Sequence, residues 1–218
     1  MMSRKRVGVL ISGRGSNMAA LIESCKKHSY PAEIVSVISN RPDAPGLDIA
    51  ANSGLPAQTI DHKDYPTREA FEAVLNEALR AAEVELICNA GFMRLLTEGF
   101  VEAWRDRQLN IHPSLLPAFK GLHTHERALA AGVKLSGCTV HFVRTEMDSG
   151  PIIAQAAVPV LTDDTPDDLA ARVLEAEHKL YPLALKLVAS GEAMVDGERV
   201  IFKNRQALHG PYIAPWFD

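Results

Sequence analysis

The sequence predicts an α/β protein with a mixed, mostly parallel central sheet and helices on both faces. Three observations carry that expectation. In the first half, short apolar runs alternate with helix-like segments, the rhythm that builds parallel strands joined by crossover helices. In the second half, two apolar runs face each other across a polar Asp148-Ser149-Gly150 turn, which marks an antiparallel hairpin. No internal repeat, low-complexity block or linker-like shift in composition interrupts the 218 residues, so one domain over 1–218 is expected.

Taken in order, Val7–Ile11 reads as a first strand, and a helix follows from Asn17 to Lys27. Ile34–Ile38 is the next strand, and Gly46 to Ser53 the next helix, with Gly54 as its stop. Thr59-Ile60 is a short third strand. Pro66-Thr67-Arg68-Glu69 opens an amphipathic helix to about Ala82, before a buried fourth strand at Leu86–Ala90. A helix from Thr97 to Arg105 leads to a strand ending at His112, where Pro113 lacks the donor an interior strand needs. A Pro/Gly-rich loop runs through Gly121, and a helix spans about His125 to Ala131. Ser136–Val143 and Ile152–Val160 form the hairpin. Thr165-Pro166-Asp167-Asp168 combines a cap, a first-turn proline and acids that suit a helix N-terminus, so a long helix runs to about Ser190, with a kink at Tyr181-Pro182. The tail, punctuated by Gly191, Gly197, Gly210, Pro211 and Pro215, reads as a small β-ribbon and an irregular C-terminus.

Composition narrows the function classes. A net charge of -4 and a pI near 6.1 argue against a broad electrostatic footprint for nucleic acid, so small-molecule substrates are expected. Met1-Met2-Ser3-Arg4-Lys5-Arg6 resembles the start of a signal peptide, but the apolar run after it stops at Ser12-Gly13. No stretch approaches the roughly 20 apolar residues of a membrane helix. Cys25, Cys88 and Cys138 are odd in number and widely spaced, which suggests neither a disulfide framework nor a thiolate metal site, and a cytoplasmic setting is expected.

Two segments concentrate chemistry. Asn110-Ile111-His112-Pro113-Ser114-Leu115-Leu116-Pro117 puts an amide and an imidazole on one face of a strand's last residues, because the side-chain period is two. Met147-Asp148-Ser149-Gly150-Pro151 supplies a carboxylate, and a His with such a partner serves as general acid or base near neutral pH. Ser114 lacks the turn that would expose a serine nucleophile, and Cys138 sits within a strand as a core residue. Gly13-Arg14-Gly15-Ser16-Asn17 follows the first strand and opens the first helix, an arrangement that holds anions. Met18 replaces the third glycine of a dinucleotide fingerprint, and Ser39-Asn40-Arg41 offers no acid after the second strand, so NAD is disfavoured. A phosphate monoester on Gly15, Ser16 and Asn17 remains, alongside the plainer reading of a tight turn that Asn17 merely caps. His123-Thr124-His125 with His112 and His141 has poor spacing for zinc, and no metal is expected. His141 reads as structural, while His123 and His125 are loop or substrate contacts. Gly91-Phe92-Met93-Arg94-Leu95-Leu96 reads as a turn with an apolar plug whose backbone could meet a planar heterocycle, and Glu177-His178 as a solvated helix face.

Together these segments resemble the phosphoribosylglycinamide formyltransferase family, folate-dependent enzymes of purine synthesis. The match also runs through Ala90-Gly91-Phe92-Met93-Arg94, Gly121-Leu122-His123-Thr124-His125 and Thr139-Val140-His141-Phe142-Val143, and so covers nearly the whole chain. The resemblance implies a Rossmann-like formyltransferase fold, with a phosphate-binding half at about 1–105 and a folate and catalytic half at about 106–218. It implies that Gly15, Ser16 and Asn17 bind the ribonucleotide phosphate and that Glu177 meets the substrate's amine side. It further implies that Arg68, Met93, Arg94, Leu95, Leu96 and Asn110 line the pocket for 10-formyltetrahydrofolate, a co-substrate. Asn110 and His112 would meet the formyl group, Asp148 would set the charge of His112, and the Leu116-Pro117 bond would be cis. Partners are then glycinamide ribonucleotide and the folate, with no nucleic acid or membrane, in a monomer or homodimer. A formyltetrahydrofolate hydrolase and a non-catalytic nucleotide sensor are the rival readings.

Overall fold

The computed structural model describes residues 4–204. Seven strands form one sheet: β1 (Lys5–Ile11), β2 (Ala32–Ser39), β3 (Ala57–Thr59), β4 (Leu86–Asn89), β5 (Gln108–His112), β6 (Leu135–Phe142) and β7 (Ile152–Pro159). Their order is β3-β2-β1-β4-β5-β6-β7. Every pair from β3 to β5 is parallel, whereas β5 with β6 and β6 with β7 are antiparallel. The expected mixed, mostly parallel sheet is therefore observed.

Helices cover both faces, and the strand alternation explains why. Val7, Val9 and Ile11 point into one core, with Leu21 and Ile22 of α1 (Ser16–Cys25) and Tyr181 and Leu185 of α6 (Pro166–Ala189). Leu10 points the other way, into a core with Leu75 and Leu79 of α3 (Arg68–Ala81) and Phe100 of α4 (Glu98–Ala103). Among the described residues, α2 (Gly46–Asn52) and α5 (Thr124–Ala130) are the remaining α-helices, with one 3-10 turn at His62–Asp64. Among the described residues, no helix is long and apolar enough to cross a membrane.

Local chemistry sets the helix boundaries. Thr67, Thr97 and Thr165 each accept a backbone N–H at the start of α3, α4 and α6, and Thr165 with Asp168 forms a reciprocal capping box. α6 runs unbroken through Pro182, whose carbonyl accepts the Tyr30 hydroxyl at 2.6 Å. The ribbon expected in the tail is β8 (Ala193–Asp196) with β9 (Arg199–Phe202), turning through Gly197 in the left-handed region. Gly210, Pro211 and Pro215 lie outside the described residues.

This topology creates the place for a site. The chain leaves β1 toward β2 on one side and reaches β4 on the other, so the loops after β1 and β4 diverge. Open α/β sheets bind ligands in the crevice that opens there.

Candidate active site

β5 delivers Asn110 and His112 to the sheet's edge, and its antiparallel neighbour β6 sets Thr139 opposite His112 and His141 opposite Asn110. The loop after β6 then folds back over the strand ends. Asp148, at a φ of 53°, turns its carboxylate so that Oδ2 lies 3.4 Å from His112 Nδ1. The expected meeting of Asp148 with His112 is thus present in the fold. The same oxygen accepts the Gly121 N–H at 2.9 Å, and His112 Nε2 lies 3.0 Å from the Phe119 carbonyl. Both ring nitrogens face acceptors, which a doubly protonated imidazole meets by donating to each. The His112 and Asp148 side chains are only 7% and 8% exposed, so water screens the pair weakly.

The loop between β5 and α5 is held rigidly beneath this pair. The Thr139 hydroxyl donates to the Ser114 carbonyl at 2.7 Å and accepts the Leu116 N–H at 3.0 Å. Gln155 donates to the Leu116 carbonyl at 2.9 Å, and the Leu116-Pro117 bond is cis. Ser114 is buried with its hydroxyl donated to the Ala118 carbonyl at 2.6 Å, so it is a brace, not a nucleophile. The three cysteines are buried thiols. Burial pushes Cys25 up to about 11, Cys138 up to about 12 and Cys88 higher still, which removes them as thiolate nucleophiles.

At the other end of the crevice, the Gly13–Asn17 loop enters α1 through Gly15 at a φ of 74°. A Cβ at Gly15 would lie 2.9 Å from the Gly46 Cα, and the Gly46 N–H donates to the Gly13 carbonyl at 3.0 Å. Glycine is required by both the backbone angle and this close approach. No side chain caps α1, so Asn17 does not play the capping role open to it from the sequence. It lies inside the helix because the left-handed Gly15 starts α1 at Ser16. The first-turn N–H groups are left without helical partners and face an anion's natural position.

Asn17 instead donates its amide N–H to Glu177 Oε2 at 2.7 Å, while its own Oδ1 is buried and, among the described residues, has no partner. Glu177 is buried, which corrects its reading as a solvated face: α6 packs on α1 and on β6 and β7, so position 177 turns into the crevice. Burial pushes its carboxyl above the ordinary range, opposed by the Asn17 donor. Its neighbour His178 is half-buried, and burial lowers its pKa.

The loop after β4 borders the same crevice. Ser12 donates its hydroxyl to Asn40 at 2.5 Å and accepts the Met93 N–H at 2.8 Å, stitching this loop to the end of β1. Phe92 is the buried plug expected there, whereas Met93 and Leu95 are 65% and 63% exposed and Arg94 and Leu96 are half-buried. Arg68 is exposed at the start of α3, one turn before Glu72, whose carboxylate accepts the N–H of Thr97 at 2.8 Å and also its hydroxyl. That bond brings the face carrying Arg68 toward the Leu96 end of the loop. Among the described residues, no hydrogen bond or ion pair joins Arg68 or Arg94 to another side chain. His123 is exposed beside Glu126, and His125 is half-buried, its Nδ1 without a partner among the described residues.

His141 is the residue whose place the sequence reading missed. Its Nε2 lies 3.3 Å from Asn110 Nδ2 and 3.8 Å from Asp148 Oδ1, so it belongs to the cluster. Only the β5–β6 register shows this, and the long connection between those strands leaves the register unspecified in sequence.

A family model described as formyl transferase matches residues 5–185. The chain belongs to the formyl transferase family. Within it, the phosphoribosylglycinamide formyltransferase of Escherichia coli (strain K12) is 42% identical over 199 residues, 88% of this chain and 94% of that relative. The trifunctional purine biosynthetic protein adenosine-3 of Drosophila melanogaster is 51% identical over 197 residues, 89% of this chain, and the chain spans only 15% of that relative's length. The crystal structure of glycinamide ribonucleotide transformylase 1 from Symbiobacterium toebii superposes with a TM-score of 0.91 at 48% identity, covering 94% of this chain and 96% of that one. The Rossmann-like formyltransferase fold is therefore shared with an enzyme of similar length.

Proposed function

We propose that the chain transfers the formyl group of 10-formyltetrahydrofolate to the primary amine of glycinamide ribonucleotide. The products are formylglycinamide ribonucleotide and tetrahydrofolate. The observation that carries this reading is the meeting of Asn110, His112 and Asp148 at the end of β5 with, among the described residues, no activated nucleophile beside them. Such a set suits direct transfer between two bound substrates. The amine nitrogen attacks the formyl carbon, the oxygen takes up negative charge, and the bond from carbon to N10 then breaks as a proton passes to N10. The Asn110 amide donates to the oxyanion, cationic His112 stabilises that charge and delivers the proton toward the departing nitrogen, and Asp148 balances the imidazolium.

In this reading the phosphate rests on Gly15, Ser16 and Asn17, and Glu177 meets the amine side of the ribonucleotide. The folate lies along Arg68, Met93, Arg94, Leu95, Leu96 and Asn110, where exposed apolar side chains flank backbone polar groups. Within a single domain, the half at about 1–105 carries the phosphate loop and the half at about 106–218 the catalytic set, while the ribonucleotide and folate sites each draw on both halves. The reaction needs no metal. A monomer or homodimer in the cytoplasm, without nucleic-acid or membrane partners, completes the reading.

The test is to incubate the purified protein with 10-formyltetrahydrofolate, with and without glycinamide ribonucleotide, and to follow tetrahydrofolate release. Release that depends on the amine is expected. Equal release without it would make the chain a hydrolase, and no release under either condition would remove the catalytic reading.

A further inference from the structure

We propose that His141 is a positioning residue that fixes which end of the Asn110 side-chain amide faces the reacting carbonyl. The proposal rests on the formyl-transfer reading for the role of Asn110, but its structural content does not. His141 Nδ1 lies 2.9 Å from the Phe142 carbonyl, and a carbonyl only accepts, so that nitrogen carries the ring proton. A neutral ring then presents a bare lone pair at Nε2. Asn110 Nδ2 lies 3.3 Å from it, directly across the β5–β6 register. Only the NH₂ end of the amide can satisfy that lone pair, which turns the amide oxygen away from His141. Among the described residues the second N–H of the same group has no protein partner, and it is available to an oxyanion.

The lock matters because the two ends of an asparagine amide are nearly equal in shape and opposite in hydrogen bonding. An unlocked Asn110 would present its oxygen as readily as its nitrogen, and the oxygen repels developing negative charge. His141 therefore acts through Asn110 and touches no reacting atom. Its partner in the cluster has the opposite requirement: His112 faces acceptors at both nitrogens, while His141 faces one acceptor and one donor.

The surroundings support a neutral His141. Its side chain is 3% exposed, and burial pushes its pKa below the ordinary histidine value. From β5, His112 adds to that depression, as does Lys120 from the loop between β5 and α5. Asp148, from the loop after β6, and the Phe142 carbonyl oppose it. On β7 the residue paired with His141 is Ile152, which is uncharged. A second proton on Nε2 would meet an N–H donor and be drawn toward Asp148 Oδ1, 3.8 Å away, releasing the amide to flip.

Two measurements test this. Nitrogen-15 NMR of the labelled protein at neutral pH should show His141 as the tautomer protonated at Nδ1 and bare at Nε2. A ring protonated at Nε2, or an imidazolium, would overturn the inference without touching the reaction assay. In kinetics, His141→Phe should lower kcat about tenfold, the upper end for one neutral hydrogen bond, with KM for both substrates unchanged. His141→Gln, which restores an acceptor, should recover most of the loss. The wild-type acid limb in kcat, lying below the ordinary histidine range, should be absent in His141→Gln. An unchanged kcat in His141→Phe, or an acid limb that persists in His141→Gln, would refute the positioning role. If the wild-type protein releases no tetrahydrofolate, the formyl-transfer reading fails, and the tautomer measurement still decides the lock.

Discussion

The two ends of the crevice are made of different material. At the β1 end, the proposed phosphate site consists of backbone N–H groups at the start of α1, shaped by Gly15 and tied to α2 through Gly46 and Gly13. At the β5 end, the site consists of side chains from β5, β6 and the loop carrying Asp148. A backbone site depends on chain conformation and tolerates changes of side chain. A side-chain site depends on several segments meeting and tolerates almost none.

The largest effect is expected at the side-chain end. Losing one oxyanion donor costs roughly 10²–10³ in kcat, so Asn110→Ala and His112→Ala should each fall by about that factor while their circular dichroism stays native. Activity within tenfold of wild type would break the comparison at its stronger side. Next comes Gly15→Ala, which tests whether the β1 end is a matter of conformation. A left-handed alanine costs roughly 1–2 kcal/mol, and its methyl would crowd Gly46, so Tm should fall and KM for the ribonucleotide should rise with kcat little changed.

Glu177→Gln probes the seam between the two ends. Its carboxyl is raised by burial, so the native state keeps that proton to a higher pH than the unfolded chain does. Unfolding in that window releases the proton, so this group's contribution to stability falls as pH rises from the unfolded value through the folded one. The glutamine variant still accepts the Asn17 donor and should lose that pH slope, with a urea midpoint at neutral pH equal to or above wild type. A steeper slope in the variant would show that Glu177 is ionised and stabilising there. The smallest effect belongs to Ser16→Ala. If the phosphate is held by the N–H groups, losing the hydroxyl raises KM by at most roughly tenfold, the worth of one neutral hydrogen bond. A larger loss would mean that the loop works through its side chains after all.

The same contrast explains what could be read in advance. The glycine-rich turn from β1 into α1 was legible because its signals are contiguous: an apolar run, two glycines and a helix start within Val7–Asn17. Asn110 and His112 were legible because the period of two and Pro113 place them together at a strand's end. Their link to Asp148 was expected from chemistry, and the fold supplies the 3.4 Å contact. The solvated-face reading of Glu177 failed, and the place of His141 beside Asn110 went unread, for one shared reason. An alternating strand and a helix with mixed polarity do not say what lies across from a given residue.

By itself, the sequence determined the order of strands and helices, the antiparallel hairpin of β6 with β7, the capped helix starts and the two loops that carry polar groups. Those features follow from turn chemistry and hydrophobic period, which act over a few neighbouring residues. Only the tertiary structure decided that Glu177 is buried against Asn17 and that His141 faces the Asn110 amide. Burial and strand register are set by segments far apart in the chain, and the same histidine or glutamate changes protonation and role according to what packs against it.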